Sequence, residues 1–545
     1  MNANLLPAGT AAVSDAVSPA RHGNPTPRQL ARLFAAASLI GLASCGGGGG
    51  GGSPPPPPPS SYMPGVFPPS ASFAARCAVP RTGTDPFTGQ PYPDVMGSTL
   101  LENNWLRSWT NELYLWYNEV PDLDPGATPT TAAYFDLLKT SAITASGHPK
   151  DKFHFTYPTS VWEQLSQSGV TASYGATWDL VAAAPPRMVV VAYTEPNSAA
   201  TAANLARGAE VLTVDGVDVV NGADVNTLNA GLFPNNAGET HTFSILDLGA
   251  STPRTIMMVS ANVTEAPVTN VSVIQGTSIG YMLFKDHIAT AEGALINAVN
   301  QLKSQNVTDL VLDIRYNGGG YLDIASELAF MIAGPTTTAG KTFELTQFNN
   351  KHPSIDPVTL QPITPLPFHS TTLGFSVAPG SALPTLNLSR VFVLTGPGTC
   401  SASESVINSL RGVGVNVIQI GSTTCGKPYG FYPADNCGTT YFSIQFQGVN
   451  QLGFGDYPDS FSPANTVTPE GVSVPGCSVA DDLSHALGDP SESRVAAAVA
   501  YASSPGSCPA PSGNLARVLS NRKAATTGEG IVPKTPWQTN RIYRN

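Results

Sequence analysis

Charge is what this sequence of 545 residues has least of. Charged side chains make up 12% of it, about half the usual ~25%. The net charge of −11 leaves no basic footprint, which argues against nucleic acid as a partner. Lysine is scarce, so a lysine inside an apolar segment stands out. Of the seven cysteines none is spaced as in CxxC, which argues against zinc. Of the eight histidines none lies near the glycine-, serine- or lysine-bearing motifs described below. Nucleic-acid binding and structural zinc are therefore set aside before any motif is read.

What is present begins with a targeting pattern. Arg21, Arg28 and Arg32 precede a short apolar run, Leu33 to Leu42, that ends in Leu42-Ala43-Ser44-Cys45. The run is too short to span a bilayer. Small residues before a cysteine resemble the bacterial lipobox, in which cleavage leaves the cysteine first and acylated. On this reading residues 1–45 are a lipoprotein signal peptide and Cys45 carries lipid; an ordinary signal peptide is the alternative. Gly46 to Gly52 and Pro54 to Pro59 follow. Polyglycine cannot pack and polyproline is a stiff spacer, so residues 46–75 are expected to be a tether. The expected location is the bacterial cell envelope, lipid-anchored, in the periplasm or at the outer membrane.

Six cysteines lie beyond Cys45, and an even count in an exported chain favours disulfides. Sequence proximity suggests Cys425–Cys437 and Cys477–Cys508, leaving Cys77 with Cys400. Residues 76–169 read as a small helical cap. Trp105, Leu106, Trp109, Leu113 and Trp116 fall near a 3.6 spacing, and Tyr134, Phe135, Leu137 and Leu138 begin a second helix.

From 170 to 266 the pattern turns β-rich, with a strand at Met188 to Ala192, a short alanine-rich helix at Ser198 to Leu205 and a strand-to-turn at Ala209 to Gly216. This order resembles a circularly permuted bacterial PDZ domain. The resemblance places Ser173, Tyr174, Gly175 and Ala176 where such domains cradle a peptide C-terminus, although the segment is not the usual glycine-leucine-glycine loop. A bound peptide would add as a strand to the domain edge. From 267 to 510 strands and helices alternate: strands at Ile279 to Phe284, Leu310 to Ile314, Val391 to Thr395 and Val415 to Ile420, and helices at Ala291 to Leu302, Leu322 to Ile332 and from Ser401 onward. That alternation predicts an α/β layer with a mostly parallel sheet. A Pro- and Thr-rich segment, about 334–384, reads as a loop insertion with one strand at Thr342 to Thr346, and 511–545 as a tail.

Three pieces carry the chemistry. The buried strand Leu310 to Ile314 leads through Arg315-Tyr316-Asn317 into Gly318-Gly319-Gly320, and glycines let backbone N–H groups face a ligand. A tight turn needing positive φ explains the same glycines. Ser401-Ala402-Ser403-Glu404 has the S-x-x-E form of a capping box. The same position suits a nucleophile, because a helix N-terminus favours developing negative charge. Gly421 to Lys427 matches most of a phosphate-binding loop, but Pro428 stands where the magnesium-binding hydroxyl belongs, so that reading fails.

Together these pieces resemble the carboxyl-terminal processing serine peptidases, from the helical cap to about Gly488. The resemblance implies a ClpP/crotonase-like α/β catalytic core with Ser401 as nucleophile and Lys427 as general base. It implies an oxyanion hole from the N–H groups of Gly318 or Gly319 and of Ala402. Glu404 matches a glutamate that some members place beside the dyad. A polar residue near Arg411 or Gly412, which orients the lysine in other members, is not clearly matched, and Cys425 replaces a common aromatic residue. Protein or peptide substrates, membrane contact through the lipid anchor, and no cofactor or metal are expected. A free lysine, with pKa about 10.4, is no base at neutral pH, so burial would have to lower it towards ~7–8. Two other readings are a tricorn-like enzyme using His287, which the absence of propeller-like repeats disfavours, and a non-catalytic binder resembling the interphotoreceptor retinoid-binding protein.

Overall fold

Strands that are apolar at every position, not at alternate ones, must be buried on both faces. Ile279–Phe284 is buried throughout, and it sits inside a six-stranded sheet ordered Val268–Val273, Ile279–Phe284, Asp309–Asp313, Arg390–Thr395, Asn416–Gly421, Gly476–Ser478. The first strand runs antiparallel to the second, and all later neighbours are parallel. Side chains alternate between two cores. Leu310 and Leu312 join the one covered by helices Ala291–Ser304, Leu322–Thr338 and Ala402–Gly412. Val311, Phe392 and Ile420 join the other, covered by helix Ser493–Ser503. The predicted α/β core with a mostly parallel sheet is therefore present.

The computed structural model describes residues 62–510 and the backbone of Arg541–Ile542. Cys45, the signal peptide, most of the tether and the rest of the tail lie outside the described residues. By its contacts the chain divides into two units, Met1–Pro57 with Thr82–Tyr92, and Pro58–Arg81 with Pro93–Asn545. Of the first unit the described part is Thr82–Tyr92, a loop closed by a bridge between Thr84 and Pro91. Everything below concerns the second. Among the described residues no helix is long and apolar enough to cross a membrane.

The tryptophan periodicity is a core pattern. Helix Thr99–Leu113 starts at Ser98, whose side chain accepts the Leu101 N–H, and Trp105 stacks on Trp109 with centroids 5.2 Å apart. Both pack with Phe73, Tyr134, Phe135 and Tyr441. The cap is not wholly helical, however. Phe155–Pro158 is a strand, paired antiparallel with Thr439–Phe442. Backbone pairing to a strand almost 300 residues later overrides the local signal there.

Residues 174–258 share a core of their own. Their sheet runs Arg254–Val259, Thr240–Leu246, Glu210–Val214, Met188–Thr194, Ala176–Ala182, with helix Val225–Leu232 beside it, a PDZ-like arrangement in which Ala176–Ala182 is an edge. In the insertion, the helix expected to stop near Ile332 breaks at Gly334 (φ 76°, ψ 171°) and resumes through Thr338. Pro335 permits the restart, since proline suits a first helical turn. Strand Thr342–Phe348 then pairs with Phe446–Val449, which also pairs with Tyr429–Gly430.

The disulfides are Cys77–Cys437, Cys400–Cys425 and Cys477–Cys508, with Cα separations of 5.3, 5.2 and 5.3 Å. Only the last agrees with the pairing expected from sequence. Topology explains the other two. Cys400 and Cys425 leave neighbouring parallel strands and meet, whereas Cys437 sits on the hairpin whose Asn436 accepts the Ala75 N–H, next to Cys77.

Candidate active site

Three turns leave the carboxyl ends of three adjacent parallel strands: the glycine turn after Asp309–Asp313, Ser401 after Arg390–Thr395, and Lys427 after Asn416–Gly421. This is where open parallel sheets place their ligands. Ser401 has φ 60° and ψ −117°, a conformation rare for a residue with a side chain. Such strain costs about 1–3 kcal/mol and persists where surroundings enforce it. A sharp strand-to-helix turn of this kind presents a nucleophile.

The two residues stand in the capping-box arrangement, the Ser401 side chain toward the Glu404 N–H and the Glu404 side chain toward the Ser401 N–H. Glu404 Oε2 accepts the Ser401 N–H at 3.0 Å, but the Ser401 hydroxyl is fully buried and has no hydrogen-bond partner. A hydroxyl that capped the helix would have one, and leaving it unpaired costs free energy. The Ser401 hydroxyl therefore sits at the cap position without making the capping hydrogen bond.

Glu404 is also fully buried, and four donors converge on it. Oε1 accepts from Thr424 Oγ1 at 2.5 Å and from the Gly426 N–H at 2.9 Å. Oε2 accepts the Lys427 N–H at 2.8 Å besides that of Ser401. Burial pushes its carboxyl above the usual value, and these hydrogen bonds pull it back. Glu404 thus ties the Ser401 turn to the Lys427 turn. The Cys400–Cys425 disulfide makes the same connection covalently. Cys400, Glu404 and Cys425 bring potential metal ligands within 4.8 Å of one another. The sulfurs are joined and the carboxylate is engaged, so that donor set does not suit a metal.

Lys427 is fully buried, with Nζ 4.4 Å from the centre of the Phe431 ring and 4.9 Å from that of Phe153. Phe431 lies four residues on, and Phe153 comes from the segment entering strand Phe155–Pro158.

Asn317, which sequence reasoning passed over, organises the glycine turn. Its Oδ1 accepts the Gly319 N–H at 2.9 Å and faces His287 Nδ1 at 3.0 Å, and its Nδ2 donates to Phe284 O at 3.1 Å. Its backbone carbonyl accepts the Cys400 N–H and the Ser403 hydroxyl, both at 3.1 Å. The Gly319 N–H is thereby committed and cannot face a substrate. Among the described residues the N–H groups of Gly318 and Ala402 have no hydrogen-bond partner. His287 packs on Phe284, with ring centroids 4.4 Å apart, and burial pulls its pKa down to about 3, so it is neutral. It makes no hydrogen bond to Ser401. At Gly320 (φ 132°) a Cβ would come within 2.6 Å of His287 O, which explains the last glycine.

Behind this turn Arg315 is buried against Asp313, Asp481 and Glu492, and Arg207 of the PDZ-like region reaches Tyr316 and the same Asp481. In the expected peptide loop, the Ser173 hydroxyl accepts the Gly175 N–H at 3.2 Å. Tyr174 OH and Trp178 Nε1 donate to the carbonyls of Gly231 and Leu232 at the end of helix Val225–Leu232. These bonds tie the loop and the edge strand to the end of that helix.

A strained serine, a buried lysine and free N–H groups at the ends of adjacent parallel strands are the parts of a serine-type hydrolase. Residues 278–430 match the model of peptidase family S41, and the chain carries that family's serine-type peptidase domain. Over 141 residues it is 28% identical to a carboxyl-terminal-processing protease of Picosynechococcus sp.. That match covers 25% of this chain and 32% of the relative, so the chain spans about a third of the curated relative it matches. Among solved structures, a putative S41 protease from Bacteroides fragilis superposes with a TM-score of 0.55 at 22% identity, covering 76% of this chain and 98% of the other. The photosystem II D1 C-terminal processing protease gives a TM-score of 0.40 at 20% identity, over 70% and 94% of the two chains.

Proposed function

We propose that this chain is a serine endopeptidase that cleaves exported proteins with a Ser401–Lys427 dyad. The observation that carries the reading is the Ser401 hydroxyl: buried, unpartnered and held on strained backbone at a helix N-terminus. Neutral Lys427 takes the proton from Ser401 Oγ as the oxygen attacks the peptide carbonyl. The N–H groups of Gly318 and Ala402 receive the oxyanion. Collapse returns the proton to the leaving amine, and water then hydrolyses the acyl-enzyme. On this reading Lys427 has to be neutral when it acts, with Nζ 4.4 and 4.9 Å from the Phe431 and Phe153 ring centres, faces that attract a cation. Glu404 and Asn317 position these groups. Substrate C-termini would be recognised through the Ala176–Ala182 edge and the Ser173 to Ala176 loop, with Cys45 anchoring the protein to an envelope membrane.

The test is cleavage of unfolded and C-terminally tagged proteins by a form ending at Ala510, alongside Ser401→Ala and Lys427→Ala. Loss of at least a thousandfold in both variants is expected. Unchanged cleavage in both would remove the dyad. Absence of cleavage by every form across a wide substrate panel would favour a non-catalytic binder.

A further inference from the structure

The last strand of the chain, Arg541–Ile542, is paired in parallel with Gly320–Tyr321, with Gly320 opposite Arg541 and Tyr321 opposite Ile542. It also lies against Tyr429–Gly430. Gly320 directly follows the glycine turn, and Tyr429 comes two residues after Lys427. This strand therefore runs along the segment leaving the candidate oxyanion turn and the segment leaving the candidate base. The other side of the Gly320–Tyr321 segment is already used, because the Tyr321 N–H donates to His287 O at 2.9 Å. The edge that Arg541–Ile542 occupies is thus the one open to an added strand. Main-chain pairing to such an edge is a general way of holding an extended peptide. In the same structure Ser401 and Lys427 are both fully buried, although a peptidase must admit a peptide to them.

We infer that the strand Arg541–Ile542 is a resident ligand of the peptidase's own cleft. It is paired there in cis as an added strand, and it holds the edge that another peptide would take. This rests on the reading of the cleft as a peptide site, and the binding arm below does not depend on catalysis. Among the described residues the apolar cores lie entirely before residue 510.

The experiment uses a fluorescent peptide of residues 536–545. Its binding is followed by anisotropy to the full chain, the chain ending at Ala510 and the full chain with Ile542→Pro, all carrying Ser401→Ala. The shortened protein is expected to bind at least tenfold more tightly than the full chain, with Ile542→Pro between them, since proline removes a ladder N–H. With Ser401 restored, the shortened protein is expected to cleave an unfolded substrate at least tenfold faster than the full chain, and the peptide to inhibit it competitively. Equal peptide binding by full and shortened chains, or none by the shortened one, would overturn the inference. So would equal cleavage rates. The expected binding difference without cleavage by any form would uphold the resident ligand and reject the peptidase reading.

Discussion

Glutamine in place of Glu404 tests what fastens the dyad. The carboxylate takes four donors: two backbone N–H groups and a hydroxyl from the lysine's turn and its approach, and the Ser401 N–H. An amide has one carbonyl oxygen, and its NH2 is itself a donor. Whichever way it is set, it leaves about two of those donors facing another donor. Each orphaned buried donor costs about 1–3 kcal/mol, a gross loss of about 2–6 kcal/mol. Removing a charge that burial disfavours offsets part of this. A net loss of about 2–4 kcal/mol is expected in urea unfolding, read as a lower midpoint at unchanged slope. Catalysis should fall about 10–100-fold in kcat with KM nearly constant, because loosened turns misplace Ser401 against Lys427. The pH–rate profile should keep both limbs. Wild-type stability together with loss of one limb would refute this and make Glu404 an acid–base group.

Three further outcomes follow from the same geometry. Cys400→Ser with Cys425→Ser opens a link between residues 25 apart, which the chain-entropy model values at about 3–4 kcal/mol; urea unfolding should show that loss and kinetics a lower kcat, and an unchanged midpoint would show that Glu404 alone suffices. Glu327 is buried and, with Glu292 beside it, its carboxyl is pushed up to about 9, so the folded protein holds a proton that the unfolded chain releases near 4.5. Stability from this group therefore falls as pH rises from about 4.5 to about 9, and Glu327→Gln should gain about 3 kcal/mol at pH 7 but nothing at pH 4.5, which melts at the two pH values would check. Ser401→Gly relieves the positive φ and should stabilise the fold by about 1 kcal/mol while abolishing activity; a loss in stability would restore Ser401 to the role of cap.

The fold was legible where one residue type repeats under one constraint. Apolar runs such as Ile279–Phe284 and Arg390–Thr395 could be nothing but buried strands, and their alternation with helices carried the parallel sheet. What failed was set by partners distant in sequence. Phe155–Pro158 is a strand because Thr439–Phe442 lies beside it, and Cys400 meets Cys425 because their strands are neighbours. The site divides in the same way. Ser401, Lys427 and the glycine turn carry local signatures, whereas the commitment of the Gly319 N–H depends on how the Asn317 side chain turns back. The Asn-Gly-Gly-Gly run held a signal in its first member, since asparagine readily bonds backbone two residues on.

The positions near Arg411 and Gly412, which do not clearly match the lysine-orienting residue of the family that the sequence resembles, make contacts of their own. The Arg411 guanidinium lies 5.5 Å from the Phe461 ring centre, and a Cβ on Gly412 would come within 2.8 Å of Asn450 Cγ. Lys427 is instead held from both ends. Its N–H is fixed by Glu404, the disulfide anchors Cys425 two residues before it, and Phe431 and Phe153 flank its Nζ. A lysine's long flexible stem carries roughly 2 kcal/mol of rotamer entropy. Rings packed about the side chain remove part of that freedom. The Cys400–Cys425 disulfide adds a covalent restraint on the backbone two residues before Lys427, so the turn that carries the lysine is fixed as well as its side chain.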